Sequence, residues 1–281
     1  MKSVVITGAS TGIGWATAKL LLDRGFRVFG SVRNQADADR LKTEFGANFT
    51  PLLFDVTDEA AVLAAAREVR SALNGETLAG LVNNAGIGIA GAVLEISADA
   101  FRRQMEVNVI GPIISTQAFG PLLGSDPSLK GPKGRIVMIS SVAGKSGNPL
   151  ASAYAASKHA IEGLSESLRR EMMLFGIDVI IIAPGAVKTP IWGKTDQTEL
   201  ATNSPFAPAL VKIRAFTKHL SEIGLPPEKI AERIFEALTS SNPKVRYQIT
   251  PDPMRHLIMS VLPKRTVDKL IAKRLGLMPP A

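Results

Sequence analysis

Short apolar runs alternate along the chain with stretches in which apolar residues recur every third or fourth position. Val4-Val5-Ile6, Val28 to Val32, Leu52 to Phe54, Leu81-Val82, Ile136 to Ile139, Val179 to Ile182 and Val245 to Ile249 read as strands. Helical spacing is carried by Ile13, Ala16, Leu20 and Leu21, with Gly25 as the stop. A second helix opens near Thr57-Asp58-Glu59, and a third opens at Ser97 and runs through Phe101, Met105 and Val109. A long one runs from about Ser152 to Phe175, with Ile161, Leu164, Leu168 and Met172 on one face and Gly176 as its end. Strand and helix in turn predict an α/β fold, a doubly wound, Rossmann-like parallel sheet of about seven strands with helices on both faces.

Three segments depart from this rhythm. Gly124 to Gly134 is polar and turn-rich, a solvent loop. Residues 188–227 interrupt the last two strands, and Leu210, Ile213, Phe216 and Leu220 keep helical spacing within them. An insertion at the carboxyl end of a parallel strand lies over the ligand crevice, so a lid is expected there. The chain thus divides into one domain, 1–250, and a C-terminal tail, 251–281. Within the third helix, Pro112 cannot donate to the carbonyl of Asn108 four residues earlier, and a break in the helix is expected.

Composition narrows the class. The 281 residues are 46% hydrophobic, enough for a sizeable core, and contain no cysteine, which excludes disulfides, thiolate metal sites and a cysteine nucleophile. His159, His219 and His256 are too scattered to suggest a metal site. The first strand begins almost at Met1 and no apolar run is long enough to span a bilayer, so a cytoplasmic protein is expected. Of the net charge of +8, the stretch from Lys244 onward carries eight Lys/Arg against two Asp. No nucleic-acid motif accompanies that charge. In the tail, Met254, Leu257, Ile258, Val261 and Leu262, then Val267, Leu270, Ile271 and Leu275, keep helical spacing around Lys264, Arg265, Lys269, Lys273 and Arg274. Two readings stay open: an interfacial helix touching an anionic membrane, or a tail packed over the substrate cleft.

The first strand and helix are joined by Thr7-Gly8-Ala9-Ser10-Thr11-Gly12-Ile13-Gly14. Strand, glycine turn and helix make a dinucleotide site: Gly8 for the tight turn, Gly12 for backbone approach to a pyrophosphate, Gly14 for close packing of the helix. The helix N-terminus offers N–H groups and positive dipole to phosphates. Further along stand Asn83-Asn84-Ala85-Gly86 after strand four, Asn108, Ser141 at the end of strand five, and Tyr154 with Lys158 one turn apart. Together with the G-x-x-x-G-x-G spacing, this set resembles the short-chain dehydrogenase/reductase family, in its simple single-domain branch, and its retinol and hydroxysteroid dehydrogenase group. The resemblance covers roughly Lys2 to Thr189.

It implies a catalytic tetrad of Asn108, Ser141, Tyr154 and Lys158, with the family spacing choosing Ser141 over Ser140. It implies cofactor contacts from Gly8, Ser10, Thr11, Gly12, Ile13 and Gly14, from Asp55 and Val56 at the adenine, and from Asn84, Ala85 and Gly86. Tyr154, Lys158, Pro184, Gly185, Val187 and Thr189 would complete them at the nicotinamide end. An asparagine at the position of Asn108 holds, in that family, a water reaching the catalytic lysine. The family also pairs the Asn108 helix and the long helix between subunits, so a homodimer or homotetramer is expected.

The chemistry follows from the residues. A phenol titrates near 10, and a lysine ammonium beside it is expected to lower that value and favour proton exchange with a substrate oxygen. Ser141 would hold the same oxygen. At the end of strand two, where NAD enzymes place an acid on the ribose, stand Val32 and Arg33, which suits the 2′-phosphate of NADP, with NAD the alternative. Ile87, Ile89, Val142, Ala143, Leu150, Ala186, Val187 and Trp192 flank the expected pocket, with Val142, Ala186 and Trp192 placed on the substrate beside Ser141 and Tyr154. Only Lys145 and Lys188 add nearby positive charge. Such walls predict a lipophilic alcohol or carbonyl substrate. The competing readings are a carbonyl reductase for small polar substrates and a non-catalytic NADP-binding sensor or scaffold.

Overall fold

The computed structural model describes residues 1–191 and 203–279. Its sheet comprises β1 (Ser3–Ile6), β2 (Arg27–Val32), β3 (Phe49–Leu53), β4 (Gly80–Asn83), β5 (Arg135–Ile139), β6 (Asp178–Pro184) and β7 (Arg246–Ile249). The order is β3-β2-β1-β4-β5-β6-β7, with every neighbouring pair parallel. The direction of winding reverses between β1 and β4, and a crevice opens beyond the carboxyl ends of those strands.

The described helices are α1 (Gly12–Asp23), α2 (Gln35–Phe45), α3 (Glu59–Leu73), α4 (Ala98–Met105), α5 (Gly111–Phe119), α6 (Ser152–Met172), α7 (Ala207–Ile223), α8 (Pro227–Thr239), α9 (Pro253–Val261) and α10 (Lys264–Leu275). They cover the sheet because successive strand residues face opposite sides. Val4 and Ile6 pack with Leu21 of α1 and with Ile230 and Ile234 of α8. Val5, between them, packs on the other face with Val62 and Val69 of α3, Phe119 of α5 and Ile161 of α6. Three helix starts are capped through side chains: Asn34 accepts from Asp37 N, Asp58 from Ala61 N and Ser97 from Ala100 N.

The pattern of the sequence and the structure differ at a few places. Strand three starts three residues before the apolar run and carries Pro51 inside it. It lies at the sheet edge, where a residue without an N–H leaves no ladder bond unmade. Helix α2 is polar apart from buried Ala38 and Leu41, so its period is faint. The expected break near Pro112 takes the form of a π-helical turn, Glu106–Ile110, between α4 and α5, with Gly111 N donating to Glu106 O. The wider turn lets the helix continue past a residue that cannot donate.

The insertion and the tail meet. Leu275 and Leu277 pack on Phe206, Leu210 and Ile213 of the insertion, and this cluster rests on Ala92 and Leu150. Helix α10 therefore closes over the crevice, whereas α9 exposes Met254, Leu257, Ile258 and Val261. Among the described residues no helix is long and apolar enough to cross a membrane. No cluster of His, Cys, Asp and Glu there is placed to hold a metal ion.

Candidate active site

One cleft of about 830 Å³ runs from the glycine turn to α7 and α10. At one end β1 gives way to a turn that only small residues fit. Gly8 has φ +69°, and a Cβ on it would stand 3.0 Å from Ala85 Cα. Gly14 lies beneath the turn rather than on the cleft wall. A Cβ there would come within 2.1 Å of the Gly8 carbonyl oxygen and 2.6 Å of the Asn84 amide. The turn is stitched to its neighbours. Gly8 N donates to Ser31 Oγ at 2.9 Å. Thr7 Oγ1 accepts from Asn84 N and Ala85 N, both at 3.0 Å, and the Asn84 side chain donates to the Thr7 and Gly8 carbonyls. Ser10, Thr11, Gly12 and Ile13 line the cleft, as do Val32, Arg33, Asp55, Val56, Asn84, Ala85 and Gly86. Asp55 is held by Thr57, whose N–H and hydroxyl both donate to its Oδ1.

A turn with no room for a Cβ, opening onto a helix N-terminus, fits the pyrophosphate of a dinucleotide. Exposed Arg33 follows β2 where no acid stands, and no ion pair engages it among the described residues. Arg40 lies nearby, donating to the Ser10 carbonyl and to Asp37, both at 2.8 Å. The guanidinium beside Asp37 holds that carboxyl below its ordinary 3.8.

Midway along the cleft, β5 and α6 bring Ser141, Tyr154 and Lys158 to one wall. The Ser141 hydroxyl stands beside the Tyr154 phenol, accepts from Ala143 N at 3.1 Å and donates to the Pro184 carbonyl at 3.4 Å. Lys158 Nζ donates to the Ile139 carbonyl at 2.8 Å and lies 5.7 Å from the centroid of the Tyr154 ring. The expected lowering of the tyrosine pKa is not what this arrangement gives. Burial pushes the phenol above its usual 10, with Ser141 acting weakly the other way, and burial brings Lys158 down to about 8. Both charged forms lose their water here, and that cost sets the direction of both shifts. Ser140, one residue along the strand, faces away and donates to Glu162 at 2.7 Å.

Asn108 lies behind the wall. Its amide donates to the Ile87 carbonyl and to Ser157 Oγ, both at 3.0 Å, and its Oδ1 accepts from Ile87 N at 2.9 Å. Gln104, one turn earlier and fully buried, grips the same segment, donating to the Ile87 carbonyl and accepting from Ile89 N, both at 2.7 Å. The sequence reading missed Gln104, although two amides four apart on a buried helical face were a visible signal. It also missed Glu162, which accepts from Arg246 Nε at 2.9 Å across 84 residues.

Beyond the triad the walls are largely apolar: Ile87, Ile89, Val142, Ala143, Leu150, Ala186 and Val187, with Pro184, Gly185 and Thr189 between, while Arg103, Glu106, Asn148 and Thr217 add polar groups to the lining. Trp192 lies outside the described residues. Lys145 and Lys188 do not line the cleft; Lys145 Nζ turns to Glu162, 3.7 Å away. Arg274 lines it instead, brought there by the tail together with Ile271 and Leu275.

The comparisons with known proteins agree with this geometry. The short chain dehydrogenase family matches residues 2–200. An NADPH-dependent 3-dehydrocapnine reductase from Ornithobacterium rhinotracheale is 36% identical over 277 residues, covering 98% of each chain. Human retinol dehydrogenase 5 is 34% identical over 286 residues, covering 95% of this chain and 87% of its own. A short chain dehydrogenase/reductase from Burkholderia phymatum, solved in complex with NAD, superposes with a TM-score of 0.79 at 25% identity, covering 96% and 95% of the two chains. The chain belongs to the short-chain dehydrogenase family. It is an oxidoreductase of that family, similar along nearly its whole length to a reductase that uses NADPH.

Proposed function

We propose that the protein is an NADP-dependent oxidoreductase that interconverts a lipophilic ketone or aldehyde and its alcohol. The observation that carries this is the convergence of Ser141, Tyr154 and Lys158 on the wall of one largely apolar cleft whose far end is the glycine turn. The bound dinucleotide supplies or accepts the hydride. Gly8, Ser10, Thr11, Gly12 and Ile13 would hold its pyrophosphate, with Gly14 letting the helix close beneath it. Asp55 and Val56 would hold its adenine. Asn84, Ala85 and Gly86 would lie along it, and Pro184, Gly185, Val187 and Thr189 at the nicotinamide end, with Tyr154 and Lys158. Arg33 would hold the 2′-phosphate; the NADPH dependence named for the Ornithobacterium relative points the same way.

In the reducing direction the Tyr154 phenol gives its proton to the carbonyl oxygen and Ser141 donates a hydrogen bond to the same atom. A phenol kept neutral by burial is ready to donate at neutral pH. Lys158 supplies positive charge below about 8 and steadies the phenolate left behind. Asn108 and Gln104 act as positioning residues, fixing the Ile87–Ile89 wall. The intact triad favours an enzyme over a sensor, and the apolar walls favour lipophilic over polar substrates.

A panel of steroids, retinoids, aromatic ketones and sugars, run with NADPH and NADH, tests this reading. Turnover of apolar carbonyls with NADPH is expected. Arg33→Asp should raise the KM for NADPH roughly ten- to a hundredfold, by loss of a charge-assisted contact and gain of a like charge. Equal use of NADH by the unaltered enzyme, or activity only on sugars, would sink the corresponding part.

Two further readings rest on surfaces. The exposed apolar row of α9 beside the basic α10 suits contact with an anionic membrane. Exposed Met173 and Leu174 after α6, with Ile110 beside α5, suit a second copy of the chain. Flotation with anionic vesicles and sedimentation at micromolar concentration test them; protein left with the unbound fraction, or a monomer, would overturn each in turn.

A further inference from the structure

The substrate half of the cleft is apolar, yet the tail places a cation in it. Beyond Lys158 of the triad, Arg274 is the charged side chain that the described lid and tail contribute to its wall. It stands three residues after Ile271 and one before Leu275, on the face of α10 that packs over the cleft. Arg274 is exposed, as are Lys264, Arg265, Lys269 and Lys273, but it is the basic residue of this helix that reaches the cleft wall.

Its guanidinium is oriented. The Arg274 Cζ lies 4.8 Å from the centroid of Phe216 on α7, so the planar fork is supported on an aromatic face. The helix end is fixed as well. Gly276 takes φ +75°, Leu277 N donates to the Ala272 carbonyl, and Lys212 Nζ lies against Gly276, where a cation suits a helix C-terminus. No carboxylate stands within ion-pair distance of Arg274 among the described residues. An oriented guanidinium without an acidic partner, at the rim of an apolar cavity, suits a bidentate contact with an anion.

We propose that Arg274 is the specificity-determining residue of the cleft and binds an anionic group on the substrate, remote from the reacting carbonyl. The preferred substrate is then an amphiphile, an apolar chain bearing both a carbonyl and an acidic terminus. The proposal rests on the lipophilic reading above and narrows it. It also gives the tail a part in substrate choice: the family match ends at residue 200, and the residue that selects the substrate lies beyond it.

The test uses oxo-fatty acids that differ in the separation of carbonyl and carboxylate, each with its methyl ester, and NADPH. For at least one separation the unaltered enzyme should prefer the acid over its ester in kcat/KM by roughly ten- to a hundredfold, the range for a charge-assisted pair. Arg274→Leu should abolish that ratio, Arg274→Lys should keep part of it, and the KM for NADPH should stay within about threefold, well short of a charged contact's loss. Added salt should erode the preference. No preference in the unaltered enzyme, or equal losses on acid and ester in Arg274→Leu, would overturn the proposal. So would a loss confined to NADPH affinity, which would assign Arg274 to the cofactor. Esters turned over well without an acid preference leave the lipophilic reading standing and the proposal fallen. If neither series is reduced and only small polar carbonyls are, both fall. Thermal unfolding of each variant separates these results from a loosened tail: if Arg274→Leu unfolds early, the intermediate ratio expected of Arg274→Lys decides.

Discussion

Tyr154→Phe is expected to lower kcat by roughly 10²- to 10⁴-fold, the span that a positioned proton donor contributes. The ring stays, and so does its packing in the wall of the cleft. What is lost is the only proton-donating group besides the Ser141 hydroxyl that the triad aims at a bound carbonyl oxygen. Stability should change little, because Ser141 beside the phenol keeps its bonds to Ala143 N at 3.1 Å and the Pro184 carbonyl at 3.4 Å. The measurement pairs steady-state turnover with fluorescence titration of NADPH. Turnover should collapse while cofactor affinity moves by less than about a factor of ten, the 1.4 kcal/mol of one weak contact. Retained turnover would remove Tyr154 from its proposed role, and loss of NADPH binding in step with turnover would make it a cofactor ligand instead. The unaltered enzyme should also show a direction-dependent pH profile. Burial holds the phenol above 10, so reduction should stay level through neutral pH and oxidation should climb with alkalinity.

Lys158→Met separates function from stability. Activity should fall by roughly 10²-fold or more, since the charge that steadies the phenolate is gone. The folded protein should nevertheless become more stable at pH 7. Lys158 titrates at about 8 when folded, below its ordinary 10.5. Between those values the unfolded chain binds the proton and the folded chain does not, so stability rises with pH across that window. Below about 8 the full cost of a buried ammonium is present, on the order of 3 kcal/mol for a shift of this size. Methionine removes that cost and loses one bond to the Ile139 carbonyl, worth about 1 kcal/mol. A rise in Tm of roughly 2–6 °C is expected at pH 7, shrinking as the pH approaches 10. A fall in Tm at pH 7 would show that the ammonium is better compensated than burial alone allows.

Much of this protein was legible because its signals are local. A strand needs a few apolar residues and a helix a period of 3.6, and both lie within a short window of sequence. The glycine turn is local in the same sense, since Gly8 needs a positive φ and a Cβ on Gly14 would collide with the Gly8 carbonyl six residues earlier. Tyr154 and Lys158 were readable as a pair because one helical turn separates them. The apolar wall residues Ile87, Ile89, Val142, Ala143, Leu150, Ala186 and Val187 were placed from their positions at strand ends, and all line the cleft.

The misses share a cause in distance. Arg246 reaches Glu162 across 84 residues, and no periodicity records such a pair. Arg274 lies 133 positions beyond Ser141, in a tail whose amphipathic pattern fitted a membrane as well as a cleft; the fold divides that pattern, seating α10 on the lid and leaving the apolar side of α9 in solvent. The direction of the Tyr154 shift was also beyond the sequence, because proximity to a lysine is encoded in four residues whereas desolvation is set by everything packed around them. The sequence by itself determined the elements, the turn and the reactive set, through short-range sterics and periodicity. Only the tertiary structure decided the strand order, the depth at which the reactive groups sit and the tail's cation at the cleft wall, because burial and long-range contact are properties of the packed whole.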